Sequence, residues 1–468
     1  MSQTFLKQLK KLIPAEQLLS EPAECLAYGY DNSRRQAQPL AVILPTEEQQ
    51  VEAIVRCCNQ HRMPLIARGR GTGTTGATVP THGGLVMSLE RMNKIIRIDA
   101  DNRYMDVEPG VTNAEVQQAA AEHGLFWAPD PTSAAFCTVG GNLAYNSAGP
   151  RAVKYGSCRE NTLGLRAVTG NGDLIQCGTH TSKGVVGYDL SRLIIGSEGN
   201  LAIITRATLK LLPLASAKHT LKVSYNSMDA AARAVSNIMT QPVTPCALEF
   251  MDKNALDMVR DYASTPLPDD AAAMLMVEID GHRDTIQKDS DLIAAACKIT
   301  GHIETHRAAN GEEARALWQT RKALSPCLRK IAPKKINEDV VVPVSNIPAL
   351  INGLDALSQK YQIKIVNFGH AGNGNIHVNL LIDPDDKKQM QAAEKCLDEV
   401  FDLVINLNGS LSGEHGVGLE KRDYIYKELG KTEIGLMHQI KAVFDHNNIL
   451  NPGKTLPDIQ GDSENITP

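Results

Sequence analysis

Three histidines and one glutamate lie in two short glycine-rich stretches of the chain. His370 and His377 belong to the first stretch, and Glu414 and His415 are adjacent in the second. Imidazole nitrogens and carboxylate oxygens are ligands that a borderline-soft divalent metal such as zinc accepts, and a site with three protein ligands keeps a position open for water or substrate. These residue types therefore predict a catalytic metal site held by His370, His377 and Glu414, with a separate role for His415.

The residues around the histidines predict the elements that position them. Strands are predicted over 363–368 and 376–382, with a glycine-rich turn between them. Because side chains alternate along a strand, His377 and Asn379 face the same way, and His370 lies at the end of the first strand. His415 can accept a proton near neutral pH, which makes it the candidate base; a fourth metal ligand or a hydrogen-bond partner of the ligands is the alternative.

A second group of glycines punctuates the first half of the chain. Gly71-Thr-Gly73-Thr-Thr-Gly76 matches G-x-G-x-x-G, but residues 79–84 and a second strand follow it where a dinucleotide-binding fold requires a long helix. A glycine loop between two strands can still bind pyrophosphate through converging backbone N–H groups, and a tight turn without a ligand is the alternative. Further glycine- or proline-rich segments follow at 129–133, 138–142, 155–156 and 196–205.

The length and texture of the chain predict several domains. Its 468 residues exceed what one core ordinarily holds. Short strands alternate with glycine loops over 39–213, and longer strand–helix–strand units follow, which is typical of a ferredoxin-like domain, so the predicted fold is α+β. The predicted divisions are an N-terminal helical segment (1–38), a two-part ligand-binding domain (39–214), a cap domain with the metal site (215–420) and a C-terminal segment that returns to the first domain (421–468).

Charge and cysteine usage restrict the partners. The chain has 48 basic and 53 acidic residues, a formal charge of -5 and no long run of one sign, which argues against nucleic acid. Its 10 cysteines include no C-x-x-C pair, which favours reduced thiols and argues against an iron–sulfur cluster or a structural zinc ribbon. The N-terminal residues lack the apolar run of a signal peptide, and a docked surface helix is favoured over a membrane-lying one. We expect a cytoplasmic protein, with peripheral attachment to the inner membrane as the alternative.

The ordered glycine segments closely resemble the FAD-binding domain of the vanillyl-alcohol oxidase and cresol methylhydroxylase type, over residues 39–213. In that family the first loop binds the pyrophosphate, and the later segments line the ribityl chain and the isoalloxazine. Covalent members carry a histidine just after the first loop, where this chain has Thr75-Gly-Ala-Thr78, so the resemblance implies non-covalent FAD. The flavin-binding residues that it implies are Gly69, Gly71, Thr72, Gly73, Thr74, Thr75, Pro129, Thr132, Gly140, Gly141, Asn142, Gly156, Ile203 and Asn451.

The two histidine motifs resemble the metal site of the FAD-linked D-2-hydroxyacid dehydrogenases, which include D-lactate dehydrogenases, D-2-hydroxyglutarate dehydrogenases and the flavin subunit of glycolate oxidase. The motifs are Phe368-Gly-His370-x-Gly-x-Gly-Asn375-x-His377 and Gly413-Glu-His-Gly-x-Gly418. The resemblance implies a divalent metal, commonly zinc, on the substrate hydroxyl and carboxylate. It also implies an arginine on that carboxylate, at Arg321, with Ser325 and Asn379 as further substrate-binding residues.

The substrate class follows from the same resemblance. Some hydroxyglutarate enzymes hold the distal carboxylate with a lysine, at the position where this chain has Asn337, and Lys334 and Lys335 are displaced by two or three residues. A short monoacid, D-lactate above all, is therefore favoured over a five-carbon diacid. Glycolate and D-2-hydroxyglutarate are the alternatives within the family.

The expected reaction is metal-assisted oxidation of the D-2-hydroxyacid to the 2-oxoacid. His415 accepts the hydroxyl proton, and hydride passes to flavin N5. The electrons then go to a separate acceptor, which is a quinone, a cytochrome, an electron-transfer flavoprotein or an iron–sulfur subunit, and a homodimer is compatible with the sequence. Two other classes stay open: a zinc hydrolase, which needs no flavin domain, and a flavoprotein in which the histidines are only structural.

Overall fold

The computed structural model describes residues 3–260 and 267–458. Its strands are, in chain order, β1 (Leu18–Leu19), β2 (Ala41–Ile43), β3 (Leu65–Arg68), β4 (Leu85–Ser88), β5 (Ile95–Asp99), β6 (Tyr104–Val107), β7 (Leu125–Trp127), β8 (Thr162–Thr169), β9 (Leu174–Gly178), β10 (Ala202–Pro213), β11 (Ala217–Tyr225), β12 (Ala247–Asp252), β13 (Ala273–Gly281), β14 (His302–Arg307), β15 (Lys334–Val341), β16 (Lys364–His370) and β17 (Asn375–Ile382). Its α-helices are α1 (Gln3–Leu12), α2 (Pro22–Cys25), α3 (Glu48–Gln60), α4 (Asn113–Ala121), α5 (Val139–Tyr145), α6 (Ala152–Tyr155), α7 (Leu190–Ile194), α8 (Met228–Met239), α9 (Lys253–Val259), α10 (Ile286–Ala296), α11 (Gly311–Ile331), α12 (Ile347–Tyr361), α13 (Lys387–Asn406) and α14 (Lys431–Phe444).

The chain divides into two compact units. Unit 1 comprises residues 1–149, 156–214 and 414–468, and unit 2 comprises residues 150–155 and 215–413. The sequence placed a division at 214/215 as well, but it placed the return to the first domain at 421, whereas the chain enters unit 1 again at Glu414. The end of the predicted C-terminal segment, 459–468, lies outside the described residues.

Unit 1 contains two sheets. The first has the strand order β1-β2-β4-β3, and β4 pairs in parallel with both β2 and β3. The second has the order β5-β6-β10-β8-β9, and β7 also pairs with β10. Helix α3 packs on the first sheet because Val51, Ile54 and Val55 recur at helical spacing and are buried in one cluster with Leu65 and Leu85.

The C-terminal segment of unit 1 pairs with β3. The Leu65 N–H donates to the Ile449 carbonyl at 2.8 Å, and the Asn451 N–H donates to the Leu65 carbonyl at 3.0 Å. These bonds place Leu450 beside Leu65 in a parallel bridge. The segment thus returns to the first domain, as the sequence predicted.

Unit 2 is built on one seven-stranded sheet with the order β14-β11-β13-β12-β16-β17-β15. Its first four strands, with α8 and α10, form the β-α-β-β-α-β arrangement of a ferredoxin-like domain, which confirms that prediction. Strands β16 and β17 form the predicted hairpin, and β15 pairs with the outer side of β17. The hairpin extends the ferredoxin-like sheet because β16 pairs with β12.

Helix α11 covers one face of this sheet. Leu317, Leu324 and Leu328 recur at helical spacing and are buried in the same cluster as Phe368 of β16. The sequence analysis did not assign a helix to this segment, and Pro326 lies inside α11 although proline normally ends a helix. No helix within residues 3–260 or 267–458 combines the length and the apolar character that a membrane crossing needs.

Candidate active site

The strand register of unit 2 brings several polar side chains to one face of the sheet. Glu249 of β12 lies opposite His370 of β16, and His377 of β17 lies between Phe368 of β16 and Asp339 of β15. Directly opposed residues on neighbouring strands point to the same face. The sheet therefore gathers residues from four strands into one row, and two of those residues are the predicted metal ligands of this unit.

His370 and His377 come together as predicted. Each offers a ring nitrogen, and these atoms lie within 4.8 Å of one another. Their ring centroids are 5.3 Å apart with the planes at 82°. The side chains are almost enclosed, with His370 8% and His377 9% exposed. Two enclosed imidazoles at this separation fit a divalent metal that takes nitrogen ligands.

Glu249 was not predicted, and it orients the first histidine. It is only 1% exposed, and one of its oxygens contacts His370 Nδ1. Its other oxygen, Oε2, accepts from Arg321 Nη2 at 2.7 Å and from Nε at 3.0 Å. Burial alone would raise the pKa of Glu249, but the charges of His370 and Arg321 hold it below its usual value. A carboxylate on Nδ1 leaves Nε2 as the nitrogen for a metal, which is how ligating histidines are commonly held.

Arg321 contacts a protein carboxylate in addition to any substrate. It pairs with Glu249, and its guanidinium lies 4.8 Å from the centroid of the Phe368 ring. Among the described residues, none accepts a hydrogen bond from Arg321 Nη1. The residue is therefore fixed by its partners on the site face, while one nitrogen of the fork stays available for an anion.

Asn379, one of the predicted substrate residues, supports the backbone of the site. It is fully buried, and its Nδ2 donates to the carbonyls of Val366 and His377, each at 3.1 Å. Its Oδ1 has no hydrogen-bond partner among the described residues. Asn379 therefore fixes the strand that carries His377 and keeps one acceptor for a bound molecule.

Ser325 and Lys335 meet at the end of the same face. Ser325 lies one helical turn after Arg321 on α11, and its Oγ accepts from Lys335 Nζ at 3.2 Å. Asn337 lies opposite Asn379, and Lys335 precedes Asn337 by two residues on β15. A shift of two residues along a strand keeps a side chain on the same face, so Lys335 points to the side that carries the histidines. The displacement of Lys335 in the sequence is therefore only weak evidence against a five-carbon diacid substrate.

Asp339 holds the loop that leads to the second motif. It is fully buried, and its Oδ2 accepts from the Gly413 N–H at 2.9 Å, while its Oδ1 accepts from Ser412 Oγ at 3.2 Å. Asp339 is also the strand neighbour of His377. Gly413 is therefore anchored beside His377, and Glu414 is the next residue of the chain.

Unit 1 has an open cleft among its glycine segments. Four of the predicted flavin residues line it: Gly69, Gly140, Gly141 and Ile203. Further lining residues that the sequence did not single out include Arg68, Thr78, Pro109, Tyr145, Ser197 and Glu198. The other ten predicted flavin residues are not among the residues that line it: Gly71, Thr72, Gly73, Thr74, Thr75, Pro129, Thr132, Asn142, Gly156 and Asn451.

The polar groups around this cleft fit a flavin nucleotide. Tyr145 lines the cleft, and its buried OH has no hydrogen-bond partner among the described residues, so a bound molecule can supply one. The buried atoms Thr75 Oγ1 and Asn142 Nδ2, which are not among the lining residues, have no such partner either. The glycines are also required by space, since a Cβ on Gly73 would lie 2.6 Å from Tyr145 OH. Gly69 would meet Thr138 Oγ1 in the same way. The backbone can therefore approach a phosphate closely.

The second histidine motif belongs to unit 1 from Glu414 onward. Glu414 Oε2 accepts from the Gly149 N–H at 3.0 Å. A Cβ on Gly416 would lie 2.6 Å from Glu198 Oε1 and 2.8 Å from Tyr145 Cδ1. Because Glu198 and Tyr145 both line the cleft, His415, the neighbour of Gly416, is carried beside it.

Unit 1 combines two sheets, a glycine-lined cleft and a C-terminal segment that returns to the first sheet. This combination is typical of a flavin-binding domain. The solved structure of p-cresol methylhydroxylase with substrate bound matches this chain with a TM-score of 0.79 at 19% identity, covering 99% of both chains, which shows the shared fold. The predicted α+β fold is thereby confirmed.

Family models agree with the fold. Residues 39–178 match the FAD binding domain, and residues 214–455 match the C-terminal domain of FAD linked oxidases. The chain is 40% identical to the glycolate oxidase subunit GlcD of Bacillus subtilis, covering 96% of each chain. It is 33% identical to a D-lactate dehydrogenase of Anaerostipes hadrus, covering 89% of this chain and 90% of that one. The chain belongs to the family of FAD-linked oxidases, and it is an FAD-dependent oxidoreductase.

Proposed function

We propose that this enzyme oxidises a short 2-hydroxyacid to the 2-oxoacid, with D-lactate as the favoured substrate and the achiral glycolate as an alternative. The observation that carries the proposal is the placement of the loop around His415. Gly416 packs on two residues of the flavin cleft, and Gly413 is bound to Asp339 beside His377. Consecutive Cα atoms are about 3.8 Å apart, so the chain itself keeps Glu414 close to the anchored Gly413.

His370, His377 and Glu414 would hold a divalent metal. Two imidazoles and a carboxylate are a common donor set for catalytic zinc, and Glu249 already directs His370 Nδ1 away from the metal position. When bound, the metal would act as a Lewis acid on the substrate oxygens. Arg321 would bind the carboxylate through Nη1 while Glu249 keeps its fork in place.

His415 would take the proton of the substrate hydroxyl. When bound, FAD would supply the acceptor for the hydride of the α-carbon. One proton and one hydride leave the substrate, which becomes the 2-oxoacid. The protein contributes geometry and charge: Arg321 and Asn379 orient the acid, and the loop holding His415 places the base.

D-2-hydroxyglutarate is a second candidate substrate, because Lys335 lies on the site face. Its Nζ donates to Ser325 Oγ at 3.2 Å, one helical turn from Arg321. A cation there can attract a distal carboxylate. Asn337, opposite Asn379, supplies no charge at the nearer position, so the short monoacids keep their preference.

The electrons would leave to a separate acceptor. The similar glycolate oxidase protein is itself named as a subunit, which supports an acceptor on another chain. A quinone, a cytochrome, an electron-transfer flavoprotein and an iron–sulfur subunit are all compatible. We further propose that the FAD is bound without a covalent link, since the first glycine loop is followed by Ala77 and Thr78 where covalent members carry histidine.

Anaerobic reduction of the bound flavin tests the proposal. The purified yellow protein is mixed with D-lactate, glycolate, D-2-hydroxyglutarate or L-lactate, and the loss of flavin absorbance is followed. We expect bleaching by D-lactate or glycolate, little by L-lactate, and slower bleaching after EDTA treatment that added zinc restores. His415→Ala should retain flavin and metal and bleach far more slowly.

Other outcomes would favour the other classes. A protein that stays yellow with every hydroxyacid would be a flavoprotein with structural histidines. A protein that hydrolyses esters or amides and binds no flavin would be a zinc hydrolase. Bleaching by His415→Ala at the rate of the unmodified enzyme would remove His415 from the role of base.

A further inference from the structure

Glu198 is a buried acid at the flavin cleft whose role the reaction leaves unassigned. It is 6% exposed and lines the cleft, and its backbone has a left-handed conformation with φ of 53°. Residues other than glycine adopt such a conformation at a cost in free energy. Burial also raises the pKa of its carboxyl, against the opposing effect of two backbone N–H groups. A strained, buried acid beside a cofactor site points to a specific function.

The carboxylate of Glu198 binds the loop that carries His415. The Val417 N–H donates to Oε1 at 2.6 Å, and the Gly418 N–H donates to Oε2 at 2.8 Å. The backbone of Gly416 lies so close to Oε1 that a Cβ there would approach it to 2.6 Å. Each oxygen therefore has its own donor, and the two bonds together fix both the position and the rotation of the loop.

The same residue also binds the C-terminal segment. Thr455 Oγ1 donates to Glu198 Oε2 at 3.2 Å, and Asn451 Nδ2 donates to the Glu198 carbonyl at 2.8 Å. Lys454 is buried beside them and donates to Asn451 Oδ1 at 2.7 Å and to the Ala77 carbonyl at 2.9 Å. Hydrogen bonds with Asn451 and Thr455 of the C-terminal segment thus fix Glu198, which suits a residue that fixes the position of a loop.

We infer that Glu198 is the positioning residue that sets the orientation of His415 at the flavin cleft. Glu198 acts through the loop and not by contact with a reacting group. The inference rests on the proposed function, since it concerns the base of that reaction. A displacement of the base by about 1 Å can slow a reaction about 10²-fold. The two hydrogen bonds from the Val417 and Gly418 N–H groups to Glu198 can therefore affect the rate strongly.

The substitution Glu198→Gln removes one of the two acceptors while keeping the shape. The amide nitrogen of glutamine would face either Val417 N–H or Gly418 N–H, and a donor cannot accept a bond from another donor. Flavin should still bind, because Glu198 contributes one wall residue among many. Glu48→Gln is the matched control, since Glu48 is a carboxylate of the same unit that accepts from Arg166 and Thr205 away from the cleft.

The test is a double-mutant cycle on the FAD-loaded enzyme. Anaerobic flavin reduction is measured with D-lactate, and with glycolate in parallel, for the unmodified enzyme, Glu198→Gln, His415→Ala and the double variant. We expect Glu198→Gln to lower the reduction rate about 10²-fold with little change in KM, and Glu48→Gln to leave it unchanged. The double variant should be no slower than His415→Ala alone, because the two substitutions remove one function.

The outcomes separate the inference from the proposed function. If neither acid reduces the unmodified enzyme, or if His415→Ala reduces normally, the proposed function is wrong and the inference falls with it. If His415→Ala is slow but Glu198→Gln is normal, or if their effects multiply, only the role of Glu198 is refuted. Should Glu198→Gln fail to fold, Gly416→Ala perturbs the same contact from the loop side. The double-mutant cycle is then repeated with Gly416→Ala and His415→Ala. If the effects of these two substitutions on the reduction rate multiply, the inference is refuted.

Discussion

Replacing Glu249 by glutamine should weaken either metal binding or the fold, depending on which way the amide turns. If its oxygen faces Arg321, its NH₂ group faces His370 Nδ1, which must then accept a hydrogen bond. The ring proton moves to Nε2, the nitrogen proposed for the metal. If the amide turns the other way, its NH₂ group faces the Arg321 donors instead. The first arrangement reduces metal affinity, and the second reduces the stability of the fold.

The size of each effect follows from the burial of the pair. Loss of a carboxylate that orients a ligating histidine typically lowers metal affinity about 10–100-fold, or about 1.4–2.7 kcal/mol. Loss of hydrogen bonds to Arg321, whose side chain is 12% exposed, lowers the free energy of unfolding by about 1.5–3 kcal/mol. We expect the first effect to dominate, since Arg321 contributes two donors to Glu249 and His370 contributes one.

A zinc titration against a fluorescent chelator and a urea unfolding curve measure the two effects. Glu278→Gln is the matched control, because Glu278 lies on the next strand and accepts from Trp318 Nε1 at 2.9 Å and Lys218 Nζ at 3.0 Å without contacting a histidine. It should change stability and leave zinc affinity as it is. If Glu249→Gln binds zinc as the unmodified protein does and unfolds at the same urea concentration, the assignment of Glu249 is refuted.

Three further predictions concern single residues. Tyr145→Phe should raise the Kd for FAD about 2–10-fold, since one hydrogen bond contributes about 0.5–1.5 kcal/mol, and should leave the flavin-free protein as stable as before; flavin fluorescence titration and thermal melts check both. Arg321→Lys should raise the KM for the hydroxyacid about 10–100-fold, because lysine lacks the planar fork, and an unchanged KM in steady-state assays would contradict the clamp. Burial opposes ionisation of Glu48, but the hydrogen bonds from Arg166 and Thr205 have the larger combined effect and hold its pKa below the usual value. The stability that Glu48 adds is therefore complete above about pH 4.3 and is lost as the pH falls, so the Tm difference between Glu48→Gln and the unmodified protein should narrow in acid.

The sequence predicted well what depends on local pattern. The hairpin with His370 and His377, the ferredoxin-like strand order and the glycine loops all follow from alternation, turn residues and spacing within short windows. Helix α11 was not assigned from the sequence; it contains Pro326, and its leucines are buried in one cluster with Phe368.

What the sequence could not supply is the identity of the partners that fix the motifs. Glu249 is 121 residues away from His370 in the chain, and Glu198 is 219 residues away from Val417. Only the pairing of β12 with β16 and the return of the C-terminal part to unit 1 bring these groups together. One signal was present: a glutamate in the middle of the apolar strand Ala247–Asp252 is unusual, because charged residues are seldom fully buried unless they are paired.

Three buried acids divide the work of holding the two motifs. Glu249 orients His370, Asp339 anchors Gly413, and Glu198 binds the peptides after His415. Each acid contacts a different stretch of the motifs. Loss of one acid should therefore disturb the stretch that it contacts and leave the other two in place. Because each buried carboxylate is already hydrogen-bonded by protein groups, the motifs do not need a bound metal or flavin to supply those partners. We therefore regard each motif as organised by protein groups, which is the condition under which oriented charges contribute most to a rate.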